Sequence, residues 1–194
     1  MEKRKVVMHT EGVPNPYAIK FVLENGLLVD KPYEYADWKQ TENSPLARKL
    51  MMISYVDRVM LNLNYITVLK DPQKAPNWEV IIPELRMIIQ SHLEEDEPII
   101  YLGAEPLQHD KSDDAVVMII KDILEKQVRP AAQEDGGDIV FSSYADGVLN
   151  LSMHGACHKC PYVLDTLKSG VEKLMNHYVP EVKRVIATNN QVSQ

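Results

Sequence analysis

Two thiols dominate the chemistry available to this chain. Cys157 and Cys160 are its only cysteines and stand three positions apart in Gly155-Ala156-Cys157-His158-Lys159-Cys160-Pro161. A tight loop can aim both sulfurs at one metal, and a helix opening at Pro161 would favour thiolate over thiol, with the N–H groups of Tyr162 or Val163 within reach of the Cys160 sulfur. A Cys-x-x-Cys pair serves disulfide exchange, supplies half of a zinc site, or supplies half of an iron-sulfur site. Iron clusters usually take four protein thiolates. A symmetric dimer presenting two such loops is the simplest way for this chain to complete the third use. A cluster held in that way lies exposed at an interface, which suits delivery, because an incoming thiol can replace one sulfur at a time.

Neighbouring residues admit competing readings. His154 and His158 have the atoms to complete a mononuclear zinc site with the two thiolates, although the spacing is crowded and a solvent-facing histidine is the commoner case. A thiol-disulfide oxidoreductase of thioredoxin type expects a βαβ arrangement around its cysteines, whereas a hairpin leads into this pair. Gly136 and Gly137 read as turn glycines, since no lysine or helix start follows them as a phosphate cradle requires. The acids beside them read as solvated loop charges.

The elements that must position the loop are legible on both sides of it. Val116, Ile119, Ile120, Ile123 and Leu124 form a helical stripe, with Ser112 or Asp113 as N-cap and an end expected near Arg129-Pro130. Asp135 to Asp138 reads as a turn. Ile139 to Ala145 and Val148 to His154 read as strands joined by Asp146-Gly147, a two-residue hairpin signal because both positions must reach φ > 0. After the loop, Leu164, Leu167, Val171, Leu174 or Met175, and Tyr178 recur at helical spacing until Pro180, and Val182 to Ile186 closes as a strand.

The first ninety residues read as a separate α+β unit. Strands are expected at Lys5 to Thr10 and Tyr17 to Leu23, around the turn from Gly12 to Pro16. Ser44-Pro45 opens a helix through Leu46, Leu50 and Ile53, because a serine cap followed by proline costs no needed N–H. Asp57 to Asn62 and Tyr65 to Lys70 form a hairpin, and Trp78 to His92 forms a helix with Pro83 in its first turn. Residues 93–114 then carry eight acids against Lys111 as the only Lys or Arg, together with Pro98, Gly103 and Pro106. This composition reads as a connector. The expected fold class is therefore α+β in two small domains, 1–92 and 112–194, around an acidic linker at 93–111, with the C-terminal domain ordered helix-strand-strand-(CxxC loop)-helix-strand.

The totals narrow the function. At 194 residues, 45% hydrophobic and 25% charged, the chain is long enough for two modest cores. A net charge of -7 argues against a nucleic-acid binder, which needs a basic surface. No apolar run approaches the length of a membrane span. The opening Met1-Glu2-Lys3-Arg4-Lys5 shows neither signal core nor Arg/Ser-rich leader, and the paucity of cysteines suits a reducing compartment, so a cytoplasmic location is expected.

Val128-Arg129-Pro130-Ala131-Ala132-Gln133-Glu134-Asp135-Gly136-Gly137-Asp138-Ile139, the cysteine loop itself, Leu167-Lys168-Ser169-Gly170-Val171-Glu172 and Tyr178-Val179-Pro180-Glu181-Val182 together resemble the C-terminal domain of the NifU-like (Nfu) family. Asn15-Pro16-Tyr17-Ala18-Ile19-Lys20-Phe21, Ser44-Pro45-Leu46-Ala47, Tyr65-Ile66-Thr67-Val68 and the Trp78 to Leu93 helix resemble the family's N-terminal domain. The resemblance implies an iron-sulfur cluster carrier or scaffold rather than an enzyme. Cys157 and Cys160 are then the cluster ligands, with 4Fe-4S favoured over 2Fe-2S and a homodimer when loaded. Apo iron-sulfur proteins and cluster-assembly proteins are the implied partners. The sequence departs from the family pattern after Pro161, where two small hydroxyl residues are common and Tyr162 and Val163 stand instead.

Overall fold

The computed structural model describes residues 6–24, 26, 28–95, 97–101, 115–158, 160–161 and 163–189. Most of the acidic connector, the N-cap candidates Ser112 and Asp113 of the helix after it, the first five residues, Lys159 and Tyr162 lie outside the described residues. The chain falls into two compact units. One comprises Met1–Gly12 and Tyr17–Gln108, the other Val13–Pro16 and His109–Gln194.

In the first unit, β1 (Met8–Gly12), β2 (Ala18–Leu23), β3 (Tyr33–Tyr35), β4 (Val56–Leu61) and β5 (Tyr65–Lys70) build an antiparallel sheet of order β1-β2-β5-β4-β3. Alternation decides which side faces the core: Ile19, Phe21 and Leu23 of β2, Val59 and Leu61 of β4, and Ile66 and Val68 of β5 join one buried cluster. Against it pack α1 (Pro45–Met51), through Leu46 and Leu50, and α2 (Trp78–Glu94), through Leu85, Ile89 and Leu93. Ser44 caps α1 as its sequence predicts, its hydroxyl accepting from Ala47 N at 3.2 Å, an arrangement worth about 1 kcal/mol. The expected connector starts differently. Ile99 and Ile100 pack against the first unit's core, and Ser44 Oγ donates to Ile99 O at 2.7 Å, because two adjacent isoleucines gain more from burial than from solvent.

The second unit carries the cysteines. Its helical run has three parts: α3 (Ala115–Ile123), a π-helical turn at Leu124–Val128, and α4 (Arg129–Glu134). The helix expected to stop near Arg129-Pro130 continues past the proline. The wider π-turn relieves the clash between a proline ring and the preceding turn and removes the need for the missing N–H. β6 (Gly137–Ala145) pairs antiparallel with β7 (Val148–Gly155), which pairs in parallel with β8 (Arg184–Asn189), so β7 is central. α5 (Val163–Tyr178) forms the crossover between β7 and β8. Ile120, Leu124 and Val128 from the helical run, Ile139 from β6, Leu149, Leu151 and Met153 from β7, and Val171, Met175 and Val185 close the core. Among the described residues, no helix is long and apolar enough to cross a membrane.

The Asp146-Gly147 hairpin turn forms with both residues at positive φ, 52° and 81°. Gly147 O also accepts from Lys183 N and Arg184 N at 2.7 and 3.1 Å, which fastens the entry of β8 to the hairpin. A side chain at 147 would meet Glu181 O at 3.0 Å as well as an unfavourable backbone conformation. Gly147→Ala is therefore expected to destabilise the second unit by about 1–3 kcal/mol, read as a lower urea midpoint with the slope unchanged.

Candidate functional site

The cysteine turn grows from the end of the central strand. Gly155, the last residue of β7, has φ of 55°, a left-handed conformation that turns the chain sharply. Ala156 N then donates to Gly136 O at 3.1 Å, Cys157 N to His154 O at 3.2 Å and His158 N to Gly155 O at 3.0 Å. Asn15, buried in the short 13–16 segment of the same unit, donates its side-chain amide to Ala156 O at 2.9 Å and His158 O at 3.1 Å. Cys160 N reaches Cys157 O at 3.4 Å. Both carbonyls that flank Cys157 are thus held by one amide.

Both cysteines are free thiols on this turn. A cluster exposed at an interface is expected from the sequence, whereas both cysteines are buried in the structure: Cys157 is 3% exposed and Cys160 1%. Cys157 belongs to the second unit's apolar cluster, where a thiol packs as a small hydrophobe. His154 and His158 are likewise buried rather than solvent-facing, each 3% exposed. Cys160 is followed within three residues by the start of α5, but the proposed bond from the Tyr162 amide falls outside the described residues. Among the described residues, no group of three or more His, Cys, Asp or Glu gathers where it could hold a metal ion.

Beneath the turn lies a polar anchor where the sequence leads one to expect solvated loop charge. Asp138 has no exposed surface. Its carboxylate receives Arg129 Nε at 2.8 Å and a terminal guanidinium nitrogen at 2.6 Å, and a third bond from Ile139 N at 2.9 Å. Arg129 also pairs with Glu125. Asp138 beside it, with Glu125 adding to the effect and burial opposing it, holds the guanidinium pKa well above its ordinary value, so Arg129 stays charged. The pair ties the start of α4 to the start of β6, where Gly137 faces Gly155 and Asp138 faces His154. The Gly136-Gly137 step is correspondingly the start of a strand and not wholly a turn. Gly136 supplies the positive φ, 72°, and Gly137 does not need one.

Three residues that hold the turn in place, Asn15, Arg129 and Asp138, are not singled out by the sequence as doing so. Asn15 could be found only through its partners, which lie over 140 positions away. The pairing of Arg129 with Asp138 did carry a signal, since an acid immediately before an apolar strand and an arginine nine positions earlier flank one short helix.

This assembly of a three-stranded sheet, crossover helix and cysteine turn corresponds to a known domain family. The description "NifU-like domain" matches residues 120–186, and "Scaffold protein Nfu/NifU N terminal" matches residues 8–96. The chain belongs to the Nfu family, with both of its characteristic domains in order. It is 36% identical over 192 residues to the "NFU1 iron-sulfur cluster scaffold homolog, mitochondrial" of Drosophila willistoni, covering 95% of this chain and 64% of that protein. To the protein of the same name in Drosophila erecta it is 34% identical over 187 residues, covering 94% of this chain and 65% of that protein. The chain thus spans a little under two thirds of the length of these curated relatives. A solved NifU-like protein from Saccharomyces cerevisiae superimposes with a TM-score of 0.45 at 22% identity, over 52% of this chain and 89% of that one.

The expected cytoplasmic location is overturned by these relatives, which are named as mitochondrial proteins. That expectation rested on the character of five opening residues and on cysteine scarcity. A reducing interior is a property that more than one compartment shares.

Arg129→Met would leave Asp138 buried and unpaired. Breaking such a pair is expected to cost about 3–5 kcal/mol, while Arg129→Met with Asp138→Leu should recover much of that loss. Urea unfolding of the two variants checks the order.

Proposed function

We propose that this chain is an iron-sulfur cluster carrier in which Cys157 and Cys160 hold one side of the cluster and the same residues of a second copy hold the other. The observation that carries the reading is the placement of the chain's only two cysteines, both free, on one turn at the end of the second unit's central strand. The names of the relatives, iron-sulfur cluster scaffolds, support it. Thiolates are the ordinary protein ligands of such clusters, and two per chain leave half of the usual four positions to be filled. We favour a 4Fe-4S cargo over 2Fe-2S on the family resemblance, with apo iron-sulfur proteins as acceptors and cluster-assembly proteins as donors.

Burial of the sulfurs adds a step to this reading. A shared cluster requires that the turn open enough for the thiolates to meet the second copy, and the bonds from Asn15 and Gly136 set what that opening costs. Delivery then proceeds by ligand exchange. Each incoming acceptor thiolate replaces one carrier thiolate on iron, the released sulfur takes up a proton, and no electron need be transferred. Residues 112–194 supply the cysteines in this scheme, with Asn15 holding their turn, and the remainder of residues 1–92 serves partner choice.

Anaerobic reconstitution of the full chain tests the proposal, with iron and sulfide counted and the sedimentation of each peak recorded. A bridged 4Fe-4S cluster gives about two irons per chain, all in the dimer peak. Cys157→Ser and Cys160→Ser should each lower retained iron at least tenfold, and chelation should return the wild type to monomer. Iron-loaded monomer would end the bridging model. Unchanged iron in either serine variant, or stoichiometric zinc in place of iron, would end the cluster assignment.

A further inference from the structure

Gly137 lies in β6 with an ordinary backbone, so its lack of a side chain is not explained by conformation. Its surroundings explain it. A Cβ built on Gly137 would fall on Cys157 Sγ, far inside contact distance, and would come within 2.8 Å of Cys157 N and 3.0 Å of Cys157 Cβ. All three of the nearest atoms belong to a single residue. Side chains at 137 are therefore excluded by the cysteine itself, in contrast to Gly12 and Gly170, where an added Cβ would meet nothing within 4 Å.

Resting on the cluster-carrier reading, we infer that Gly137 is a positioning residue for the cargo: its bare backbone is the floor on which the Cys157 sulfur sits, and it fixes where that ligand is presented. The floor is held from below. Gly137 pairs with Gly155 at the foot of the turn, and its neighbour Asp138 is locked by Arg129 and by its own bond to Ile139 N. The strand end has little freedom to retreat, so an added methyl must displace Cys157 instead. Neither Ala156 nor His158 moves freely, since Asn15 holds both carbonyls. The displaced part is then the Cys157 side chain and its amide, with Cys160 left close to its place. Two thiolates that must grip one rigid cluster tolerate little change in their separation, because sulfur-iron bonds fix the reach of both.

The test compares Gly137→Ala with Gly170→Ala, an identical change in the same unit where space is open. After reconstitution, Gly137→Ala should lose iron to a chelator at least tenfold faster than wild type, and Gly170→Ala at the wild-type rate. In the apo chain, alkylation of Cys157 by iodoacetamide, resolved from Cys160 by peptide mass, should quicken several-fold in Gly137→Ala alone. This second readout does not involve the cluster. Equal alkylation and equal iron loss overturn the inference while leaving the carrier reading intact. Faster alkylation in a chain that never takes up iron even as wild type leaves the contact standing and removes the carrier reading.

If Gly137→Ala folds poorly, the same contact is read from stability. Cys157→Ala removes the sulfur the new methyl would strike, so the fall in melting temperature caused by Gly137→Ala should be roughly halved in the Cys157→Ala background. Strict additivity of the two changes would show that Cys157 is not what the glycine accommodates, and would overturn the inference.

Discussion

A carboxylate withdrawn from water must be matched by charge and hydrogen bonds or it destabilises its surroundings by several kcal/mol. Asp138, fully buried, is matched by the two-pronged guanidinium of Arg129 and by a backbone amide. That requirement propagates outward. Arg129 reaches Asp138 because the helical run continues through Pro130, and the run can do so because the π-turn at Leu124–Val128 makes room for the proline. On the other side, Asp138 fixes the first rung of β6, which fixes Gly137 against Gly155 and so the point from which the cysteine turn departs. A polar pair thus orients a site that contains neither of its members.

The parts of this arrangement that the sequence discloses are those decided within a few residues. Ser44-Pro45 announces a capped helix and Asp146-Gly147 a tight hairpin, because the chemistry that dictates each is carried by adjacent side chains. Helical and alternating apolar spacing places α2, α5, β5 and β7 for the same reason. Three-residue β3 escaped, since a strand that short has no period to detect. Continuation of the helix past Pro130 escaped because proline's local veto was overridden by a turn of different pitch, and the veto is the only part visible locally.

The site divides along the same line. Cys157 and Cys160 stand out by residue type alone, and the turn that joins them follows from Gly155 and the strand before it. Their burial does not. It depends on Asn15 and on apolar groups from several elements, partners that sequence distance conceals. Asp138 was misread for a related reason: an acid beside two glycines resembles a loop charge until its counter-ion is located. Gly137 looked like a turn residue and is a clearance, a distinction that rests on what stands above it rather than on its own backbone.

The position of β7 between an antiparallel and a parallel neighbour separates two kinds of stability within the unit. The strand's backbone is bonded along both edges, so its amides open only when the sheet does, on the slow timescale of global unfolding. The turn that hangs from it is held instead by a few bonds, two of them from the distant Asn15 side chain. Hydrogen exchange should therefore be slowest along β7 and faster in the turn after Gly155, where single bonds replace the two ladders. An opening of the turn that left the sheet intact would uncover both sulfurs without unfolding the unit, with Gly155 as its pivot and Gly137 as the surface left behind.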